Sequence, residues 1–410
     1  MRVLVVNAGS SSLKLRVLGA TDQLELSQDL RTVHGRPDPA ALRRALDAAG
    51  AVDAVGHRIV HGGTQFRAPV LVDQSVTARL RALTDLAPLH QPKSLAALEA
   101  VSAALPGVPA VACFDTAFHA GLPPEATTYA LPPEWRRRWN LRRYGFHGLS
   151  HAWAARRAAE LTGRSASGFR VVTAHLGAGA SLAAVRDGCS VDTTMGFTPL
   201  EGLVMATRSG SVDPGLVLWL QEHVGTPPEE LAATLEHRSG LLGLAGTADM
   251  RDVLIAAGER ADDGADSSGP TTTVPPADAR LALGVYVHRL RGAVAAMAAA
   301  LGGLDALVFT GGVGENAPEV RRLVADGLAF LGIAVDPGRN AGAGGTGTAT
   351  AAIRDAAEPG ANDLDIGVRG APVRVFVVES REDLEIARSV RGILDPGRRS
   401  DPPLECEPAA

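Results

Sequence analysis

The stretch that decides the fold is VLVVNAGSSSLKLRVL, residues 3–18. Its apolar run 3–6 predicts a buried strand, and the alternation over 13–18 predicts a second strand. Between them lies a turn with one carboxamide, one glycine and three hydroxyls, followed by Lys14. Small residues let backbone N–H groups approach an anion, hydroxyls add donors, and the lysine adds a positive charge. The stretch therefore indicates a phosphate-handling hairpin, with an ordinary β-hairpin and a solvated lysine as the alternative.

Length and composition limit the fold class and the compartment. The chain has 410 residues, which is too long for one simple core and long enough for two large lobes. Its net charge of −5 lacks the basic excess that is typical of nucleic-acid-binding proteins. Its three cysteines form no CxxC pair, which argues against a zinc site. No apolar run has the length of a bilayer span or a secretory leader. We therefore expect a cytoplasmic protein without nucleic-acid or membrane partners.

The pattern of strand, glycine turn and strand recurs in the second half of the chain. Residues 170–175 and 181–186 predict two strands, and the turn between them is Leu176-Gly177-Ala178-Gly179-Ala180. Two such hairpins indicate a duplicated, two-lobed protein with one phosphate loop in each lobe. A third glycine turn, 311–316, precedes a helix that begins at Pro318, which is typical of an anion or nucleotide site.

Polar residues lie at the ends of three predicted strands. Asn7 follows the first apolar run, Arg58 lies in strand 52–60, and Asp115 follows strand 108–114. Alternation of strands with helices predicts an α/β fold with a parallel or mixed sheet. Because ligands bind at the carboxyl ends of the strands in such sheets, we expect these three side chains at one site. The other predicted elements are helices at 40–49, 75–86, 213–223, 227–237, 277–301 and 380–394, a strand at 373–378, and loops at 121–133, 195–215 and 240–251.

The residue types at these turns and strand ends point to phosphoryl transfer. A transferred phosphoryl group carries charge on its equatorial oxygens, and glycine turns, a lysine and arginines can position and neutralise it. The chain has no GxxxxGK[ST] run and no HRD loop with a DFG turn, which argues against a Walker-type NTPase and a protein kinase. Neither hairpin supplies the GxSxG elbow of a serine hydrolase.

Segments that follow one order from residue 3 to about residue 392 resemble the acetate kinase family. They are VVNAGSSSLK at 5–14, GHRIVHGG at 56–63, LAPLHQP at 86–92, FDTAFH at 114–119, YGFHGLSH at 144–151, VTAHLGAGAS at 172–181, the loop 195–210, ADMRD at 248–252 and FTGGVGEN at 309–316. The resemblance implies a two-lobed actin-like ATPase fold of duplicated ribonuclease H-like domains, with the nucleotide cleft between the lobes. It also implies a homodimer and the reaction ATP + acetate ⇌ ADP + acetyl phosphate, with Mg²⁺ or Mn²⁺.

The resemblance further implies roles for individual residues. Asp115, His147 and Arg208 match the catalytic positions of the family, and Asn7 and Glu382 match the magnesium-site positions. The implied acetate site consists of Arg58, Val60, Leu89, Phe146 and Pro199. The implied ATP-binding residues are Lys14, Ser10, Ser12, His175, Leu176, Gly177, Ala178, Gly179, Asp249, Met250, Arg251, Gly312, Val313, Gly314, Glu315 and Asn316.

Several of these roles compete with a structural alternative. Ser380 and Asp383 fit a helix capping box, in which Glu382 would be a first-turn acid that suits the helix dipole. Asp115 would otherwise be a helix cap or a turn residue, and His147 a structural histidine with its hydrogen bonds satisfied. Ala178 departs from the family, which usually has asparagine there, so this chain loses one carboxamide near the phosphates.

The predicted domains follow from the same pattern. We expect an N-terminal lobe of residues 1–119, completed by a C-terminal helix at 385–395, and a nucleotide-binding lobe of residues 120–384. Biased composition predicts flexible insertions at 258–276 and 339–363 and a disordered tail at 396–410.

Three functional alternatives stay open at this point. Propionate or butyrate could replace acetate as the acceptor within the same family. Because Ala178 replaces the usual asparagine, the chain could also be a weakened or regulatory ATP-binding homologue. A sugar kinase of the same superfamily would need a polar pocket for a polyol, whereas the pocket residues here are apolar.

Overall fold

The structure, a computed structural model, describes residues 1–9, 12–33, 36–86, 91–262, 274–343 and 363–395. Its strands are β1 Val3–Ala8, β2 Ser12–Leu18, β3 Leu24–Val33, β4 Arg36–Pro37, β5 Ala54–Ile59, β6 Val70–Leu71, β7 Ala110–Phe114, β8 Arg170–Leu176, β9 Ala180–Arg186, β10 Cys189–Thr193, β11 Ala306–Thr310, β12 Leu364–Asp365 and β13 Arg374–Val377. Its helices are α1 Pro39–Ala49, α2 Gln74–Arg81, α3 Gln91–Ala104, α4 Pro124–Thr127, α5 Pro133–Trp139, α6 Gly148–Thr162, α7 Pro214–Trp219, α8 Pro228–His237, α9 Gly240–Ala245, α10 Met250–Ala257, α11 Pro276–Leu301, α12 Gly311–Asn316, α13 Pro318–Asp326, α14 Pro337–Gly342 and α15 Glu382–Leu394.

The strands form two mixed sheets with the same internal order. The first sheet runs β4-β3-β2-β1-β5-β7-β6 and the second runs β10-β9-β8-β11-β13-β12. In each sheet three consecutive strands pair antiparallel, β1–β2–β3 and β8–β9–β10, and the first of them starts a parallel series, β1–β5–β7 and β8–β11–β13. This shared order confirms the predicted duplicated α/β fold and places the two glycine hairpins at corresponding positions.

Two helices pack between the two sheets. Helix α15 contacts β1, β5 and β7, helix α6 contacts β8 and β11, and the two helices contact each other. A single buried cluster contains Val5 of β1, Val308 of β11, Ala154 of α6 and Ile386 of α15. The last helix of the chain therefore packs on the first sheet and also joins that sheet to the second.

Close approach of α15 to the first sheet depends on a glycine in β5. A Cβ atom at Gly56 would lie 2.4 Å from Cγ2 of Ile386 and 2.8 Å from Cγ2 of Val390, which is closer than carbon atoms pack. Only glycine lets the helix lie this near the strand. The approach matters for the site, because α15 begins at Glu382, close to the carboxyl end of β5.

Several predicted loops are helices in the structure. Residues 240–251 were expected to be a loop but form α9 and the start of α10, because Asp249 caps α10 by accepting a hydrogen bond from the Arg251 N–H. The glycine turn at 311–316 is the short helix α12, and residues 339–342 belong to α14, which Asp336 caps. The expected connection at 121–133 contains α4.

The long strand β3 and the strand β10 were not predicted. Polar residues dilute the apolar alternation in LELSQDLRTV and CSVDT, so their pairing with β2 and β9, and not their own pattern, makes them strands. Residues 263–273, 344–362 and 396–410, which contain most of the two predicted insertions and the tail, lie outside the described residues. Among the described helices, none combines the length and the apolar character needed to cross a bilayer.

Candidate active site

The parallel strands of the first sheet bring Asn7, Arg58 and Asp115 together. Strands β1, β5 and β7 are neighbours in that sheet, so the ends that carry these residues lie side by side. Arg58 donates from Nε to Oδ1 of Asp115 at 2.9 Å and from Nη2 to Oδ2 at 2.7 Å, which is a bidentate pair. Its Nη1 donates to Oδ1 of Asn7 at 3.1 Å. The strand-end expectation thus agrees with this geometry.

Glu382 joins the same network from the start of α15. The Asn7 carboxamide donates from Nδ2 to Oε2 of Glu382 at 3.0 Å, and that oxygen lies 3.4 Å from Nη1 of Arg58. The capping-box alternative is wrong, because the N-cap residue is Arg381 and the Ser380 N–H donates to the Glu315 carboxylate instead. Asp115 lies in the turn directly after β7, and its carboxylate binds Arg58 and caps no helix in the described structure.

Burial disfavours the charged forms of the side chains in this cluster. The side chain of Asp115 is only 2% exposed, and those of Glu382 and Arg58 are 13% and 17% exposed. Burial raises the pKa of Asp115, and the charge and hydrogen bonds of Arg58 oppose that rise. Burial likewise opposes the charges on Arg58 and Glu382. At Arg58 the charges of Asp115 and Glu382 outweigh burial, so its pKa is raised. At Glu382 the charge of Arg58, with His175 and the Asn7 hydrogen bond, outweighs burial, so its pKa is lowered. Each charge therefore depends on its partners.

His147 lies where the second sheet meets this cluster. It precedes α6 with a left-handed backbone, φ 57°, and Gly148 donates its N–H to the Asp115 carbonyl at 2.9 Å. A Cβ atom at Gly148 would lie 2.2 Å from that carbonyl oxygen, so the contact requires glycine. Burial first, and then His175, Arg58, His151 and Arg208, lower the pKa of His147 well below its ordinary value. The ring is therefore neutral near pH 7.

Arg208 enters from the long loop 195–210, which contains no helix or strand, as expected. Its Nη1 donates to the Pro199 carbonyl at 3.2 Å, and the loop is tied to the second hairpin by the hydrogen bond from the Ala206 N–H to the Ala178 carbonyl. A Cβ atom at Gly179 would lie 3.3 Å from His147 Nε2 and 3.5 Å from Arg208 Nη1. His147 and Arg208 thus share the face of the glycine turn.

The residues expected to form the apolar pocket differ in burial and in how they contact the site. Phe146 is 1% exposed within the large core of the second sheet, and Val60 packs against that same core. Pro199 is half-buried and reaches the site through the carbonyl that accepts from Arg208. Leu89 lies outside the described residues.

The residues expected to bind ATP lie on three turns and on the first hairpin. Lys14 is exposed and pairs across the first hairpin with Asn7, and the Ser12 carbonyl accepts from the Gly9 N–H. His175 donates to or accepts from Ser150 Oγ at 2.8 Å. Leu176 and Met250 are buried in the core, so only their backbone groups can face a ligand. Ser10 lies outside the described residues.

The remaining expected ATP residues are more accessible or have structural partners. Half-buried or exposed residues occur in all three segments: Gly177, Ala178 and Gly179 in the first, Asp249 and Arg251 in the second, and Gly312, Val313 and Asn316 in the third. Gly314 is buried. The Glu315 carboxylate accepts from the backbone N–H groups of Gly311 and Ser380, which holds α12 in place.

The donor set at Asn7 suits a hard divalent cation. Two carboxylates, of Asp115 and Glu382, and the Asn7 carboxamide oxygen converge on one positive group, the Arg58 guanidinium. Oxygen ligands from one or two carboxylates, with phosphate and water completing the shell, are what Mg²⁺ takes in phosphoryl-transfer sites. Among the described residues, no group of three or more His, Cys, Asp or Glu side chains is arranged to hold a metal ion by itself.

Sequence reasoning missed three residues that support the site. Ser181 and His151 connect to His147 by hydrogen bonds. Arg321 is fully buried and uses all five of its N–H donors on the carbonyl groups of Gly314, Glu315, Asn340 and Ala343 and on the Asn340 side chain, which fixes the end of α12. The spacing of His147 and His151, one turn apart in HGLSH, was the available signal for the second histidine.

Known proteins share this architecture. The model of the acetokinase family matches residues 40–388. Acetate kinases of Leifsonia xyli subsp. xyli and Clavibacter michiganensis subsp. michiganensis are 44% and 42% identical to the chain, and each alignment covers 94% of this chain and 97% of the relative.

Solved structures agree with these matches. The acetate kinase of Porphyromonas gingivalis superposes with a TM-score of 0.81 at 33% identity, covering 96% of this chain and 100% of that chain. A propionate kinase from Francisella tularensis subsp. tularensis gives 0.81 at 32% identity, covering 95% and 98%. Since the family match spans most of the sequence and the relatives align over nearly its full length, the chain belongs to the acetokinase family.

Proposed function

We propose that this protein is an acetate kinase that catalyses ATP + acetate ⇌ ADP + acetyl phosphate. The observation that carries the proposal is the convergence of Arg58, Asp115, Asn7 and Glu382 at the strand ends, together with His147 and Arg208, which border Gly179 of the second hairpin. A buried set of cations, acids and a neutral imidazole suits the transfer of a charged phosphoryl group to a carboxylate. The acetate kinases among the relatives support the same activity.

The proposed chemistry is a direct in-line transfer. One acetate oxygen attacks the γ-phosphorus, the new P–O bond forms as the bond to the bridging oxygen of ADP breaks, and ADP leaves with that electron pair. Arg58 and Arg208 orient the acetate carboxylate and neutralise charge on the transferring group, while His147 donates a hydrogen bond to it. Phe146, Val60 and Pro199 enclose the acetate methyl group. Arginine is suited to this role because its planar fork binds carboxylate and phosphate oxygens.

Magnesium belongs to the proposed site, with manganese as a substitute. Asn7 and Glu382 would hold the ion, with Asp115 close by, and the ion would neutralise phosphate charge during transfer. The ATP phosphates would lie against the two hairpins, near Lys14, Ser10 and Ser12 on one side and residues 175–179 on the other. Asp249 to Arg251 and Gly312 to Asn316 would contact the rest of the nucleotide.

Propionate remains the candidate alternative within the family. The structural relative named a propionate kinase superposes as well as the acetate kinase does, and only the size of the apolar pocket separates the two acceptors. One additional methylene in an apolar pocket changes specificity by about 10- to 200-fold. Acetate is the main proposal because the relatives with the higher identities are acetate kinases.

We also propose that the protein is a cytoplasmic homodimer. A run of exposed apolar side chains on α7 and the turn after it supports an interface: Leu216, Leu218, Trp219 and Val224 are 48–59% exposed. A cytoplasmic location is proposed because the proposed reaction needs ATP, which the cytoplasm supplies. Sedimentation of the purified chain tests the dimer, and a monomer at micromolar concentration contradicts it.

Trapping of acyl phosphate as its hydroxamate tests the proposed activity. The purified chain is incubated with ATP, Mg²⁺ and hydroxylamine together with acetate, propionate or butyrate. We expect the highest kcat/KM with acetate, and no hydroxamate from any of the three acids contradicts the proposal. Arg208→Ala should lower kcat by about 10²- to 10³-fold, as removal of a donor to developing charge does. Arg81→Ala, which breaks an exposed pair with Glu99, is the matched control and should keep wild-type kinetics.

A further inference from the structure

A chain of hydrogen bonds leads from His147 into the interior of the second sheet. His147 Nδ1 lies 2.9 Å from Ser181 Oγ, and the same oxygen lies 2.8 Å from His151 Nε2. His151 Nδ1 in turn lies 2.8 Å from Thr173 Oγ1. Ser181, His151 and Thr173 are fully buried, so no solvent competes for these bonds. This chain is called the His147 relay below.

Each member of the His147 relay has one proton to give, and His147 and His151 are the only hydrogen-bond partners of Ser181 Oγ in the described part of the chain. The Ser181 proton must therefore go to one of these two histidines, which leaves two possible directions. In one direction Thr173 donates to His151, His151 to Ser181 and Ser181 to His147 Nδ1. In the reverse direction His147 donates to Ser181, Ser181 to His151 and His151 to Thr173, and the Thr173 hydroxyl must find another acceptor. The direction decides which nitrogen of the neutral His147 ring carries the proton.

The surroundings of Thr173 favour the first direction. Its alternative acceptor, the Ala183 carbonyl, lies 3.5 Å away, beyond the 2.5–3.0 Å range of an O–H···O hydrogen bond. Its distance of 2.8 Å from His151 Nδ1 is ideal for donation. Because a buried hydroxyl proton without a good acceptor is costly, Thr173 donates to His151. His147 Nδ1 then accepts from Ser181, and the proton of the ring is on Nε2.

The nitrogen available to the reacting groups is Nε2, because the other ring nitrogen, Nδ1, is bonded to Ser181. A Cβ atom built on Gly179 lies 3.3 Å from both Cε1 and Nε2 of His147 and 3.5 Å from Arg208 Nη1, so this edge of the ring and the Arg208 guanidinium both border Gly179. Burial and the nearby cations keep the ring neutral, so only one nitrogen carries a proton. An Nε2–H can donate to a phosphoryl oxygen, whereas a lone pair on Nε2 would repel it.

We propose that Ser181 and His151 are positioning residues that hold His147 as the Nε2–H tautomer, with that proton directed at the transferring phosphoryl group. The inference rests on the proposed function for the identity of the group that receives the hydrogen bond. The tautomer itself is a property of the protein without substrate.

Nitrogen NMR of the full chain labelled with ¹⁵N-histidine tests the tautomer directly. Long-range ¹H–¹⁵N spectra distinguish a protonated from an unprotonated ring nitrogen, and His147→Gln identifies the His147 signals among the 11 histidines. We expect protonation on Nε2 in the wild-type protein. In Ser181→Ala, His147 Nδ1 loses the hydrogen bond that it accepts from the Ser181 hydroxyl. A measurable fraction of His147 should therefore shift to the Nδ1–H form.

Kinetics of matched variants test the positioning role. Ser181→Ala should lower kcat by about 10- to 100-fold, the loss typical when the hydrogen-bond partner that orients a metal-ligating histidine is removed, and should change the KM for acetate and for ATP by less than about threefold. The control is Ser190→Ala, which removes a hydrogen bond of 2.8 Å to a different buried histidine, His119, outside the relay. It should keep the wild-type kcat and the wild-type His147 tautomer.

A second pair of variants covers the case in which Ser181→Ala does not fold. Thr173→Val removes the hydroxyl at the far end of the relay without changing the size of the side chain, and Thr173→Ser restores it. We expect loss of the Nε2–H tautomer and lower kcat in the first variant, and recovery of both in the second.

Protonation of His147 on Nδ1 in the wild-type protein overturns the proposal, as does an unchanged tautomer in both Ser181→Ala and Thr173→Val. A wild-type protein with the Nε2–H tautomer but without acyl phosphate formation contradicts the proposed function alone. The two failures are therefore distinguishable.

Discussion

Replacing Arg58 with methionine measures how strongly the strand-end site depends on charge pairing. The substitution keeps an unbranched side chain in place but removes the guanidinium that contacts Asp115 at 2.9 and 2.7 Å. Asp115, with its side chain 2% exposed, is then buried without a counter-ion. Breaking a buried pair by removing one partner costs about 3–5 kcal/mol, because the remaining charge is desolvated and unpaired.

Thermal unfolding of the wild-type protein and Arg58→Met provides the assay. For cooperative unfolding of a chain of 410 residues, a loss of about 3–5 kcal/mol corresponds to a decrease in Tm of about 4–6 °C. The second variant, Arg58→Met with Asp115→Asn, removes both charges and should recover most of the loss. Arg81→Met is the control, since its partner Glu99 is 46% exposed, and it should change the free energy of unfolding by less than about 1 kcal/mol.

The pH dependence of the same variant has a predicted sign. Burial raises the pKa of Asp115, and in Arg58→Met nothing opposes that rise. A carboxyl whose folded pKa exceeds its unfolded value stabilises the protein below the unfolded pKa, and this stability is lost as the pH rises through the folded pKa. The difference in Tm between the wild type and the variant should therefore shrink as the pH falls. A Tm of Arg58→Met equal to that of the wild type at pH 7.5, or a difference that grows on acidification, would show that Asp115 does not depend on Arg58 as its counter-ion.

Three further predictions address the nucleotide loops and acid stability. Ala178→Asn places a carboxamide on an exposed turn. Because a hydrogen bond to a charged group contributes about 1.5–3 kcal/mol, the substitution should raise kcat/KM for ATP by about tenfold or more. Steady-state kinetics with varied ATP concentration measure this increase. Arg321→Lys replaces five donors with three and leaves at least two buried acceptors unpaired, at about 1–3 kcal/mol each, so urea unfolding should show lower stability and the KM for ATP should rise. Burial lowers the pKa of His57 to about 3 and the pKa values of His61 and His119 to about 4, so each contributes stability that is present above its unfolded pKa of 6.5 and is lost as the pH falls towards the folded value. Between pH 6.5 and 5 each histidine should account for about 2 kcal/mol, which urea unfolding at both pH values measures.

These three predictions have their own controls and contrary outcomes. Unchanged kinetics in Ala178→Asn mean that the missing carboxamide has no effect on this enzyme. Arg322→Lys, at a side chain that is 44% exposed, should unfold like the wild type, and similar losses in Arg321→Lys and Arg322→Lys contradict the special role of Arg321. His57→Asn should flatten the dependence of stability on pH, and an unchanged slope excludes His57 as a source of the acid sensitivity.

The sequence was most informative where local pattern and tertiary structure coincide. The apolar run of β1, the glycine turns and the polar residues at the ends of β1, β5 and β7 are local features, and they were sufficient to predict a duplicated α/β fold and the meeting of Asn7, Arg58 and Asp115. Side chains at the ends of adjacent parallel strands must lie close together, so their meeting follows from topology alone.

Other features depend on partners that are distant in sequence. Nothing near Glu382 distinguishes a capping-box acid from a member of the strand-end cluster, because the deciding partner, Asn7, is 375 residues away. Strand β3 is stable through its pairing with β2, and burial of Arg321 depends on carbonyl groups from α12 and α14. The direction of the His147 relay depends on distances between hydroxyl and imidazole groups, which no sequence pattern contains.

The most direct test of the account is detection of acetyl phosphate itself. Phosphorus NMR follows the purified protein with ATP, acetate and Mg²⁺, and in a second sample with ADP, acetyl phosphate and Mg²⁺. We expect the acetyl phosphate signal in the first sample and ATP in the second. Both reactions should be absent when the ion is chelated and strongly reduced in Arg208→Ala. Release of inorganic phosphate from ATP without acetyl phosphate, or no turnover in either direction, would contradict the proposed activity.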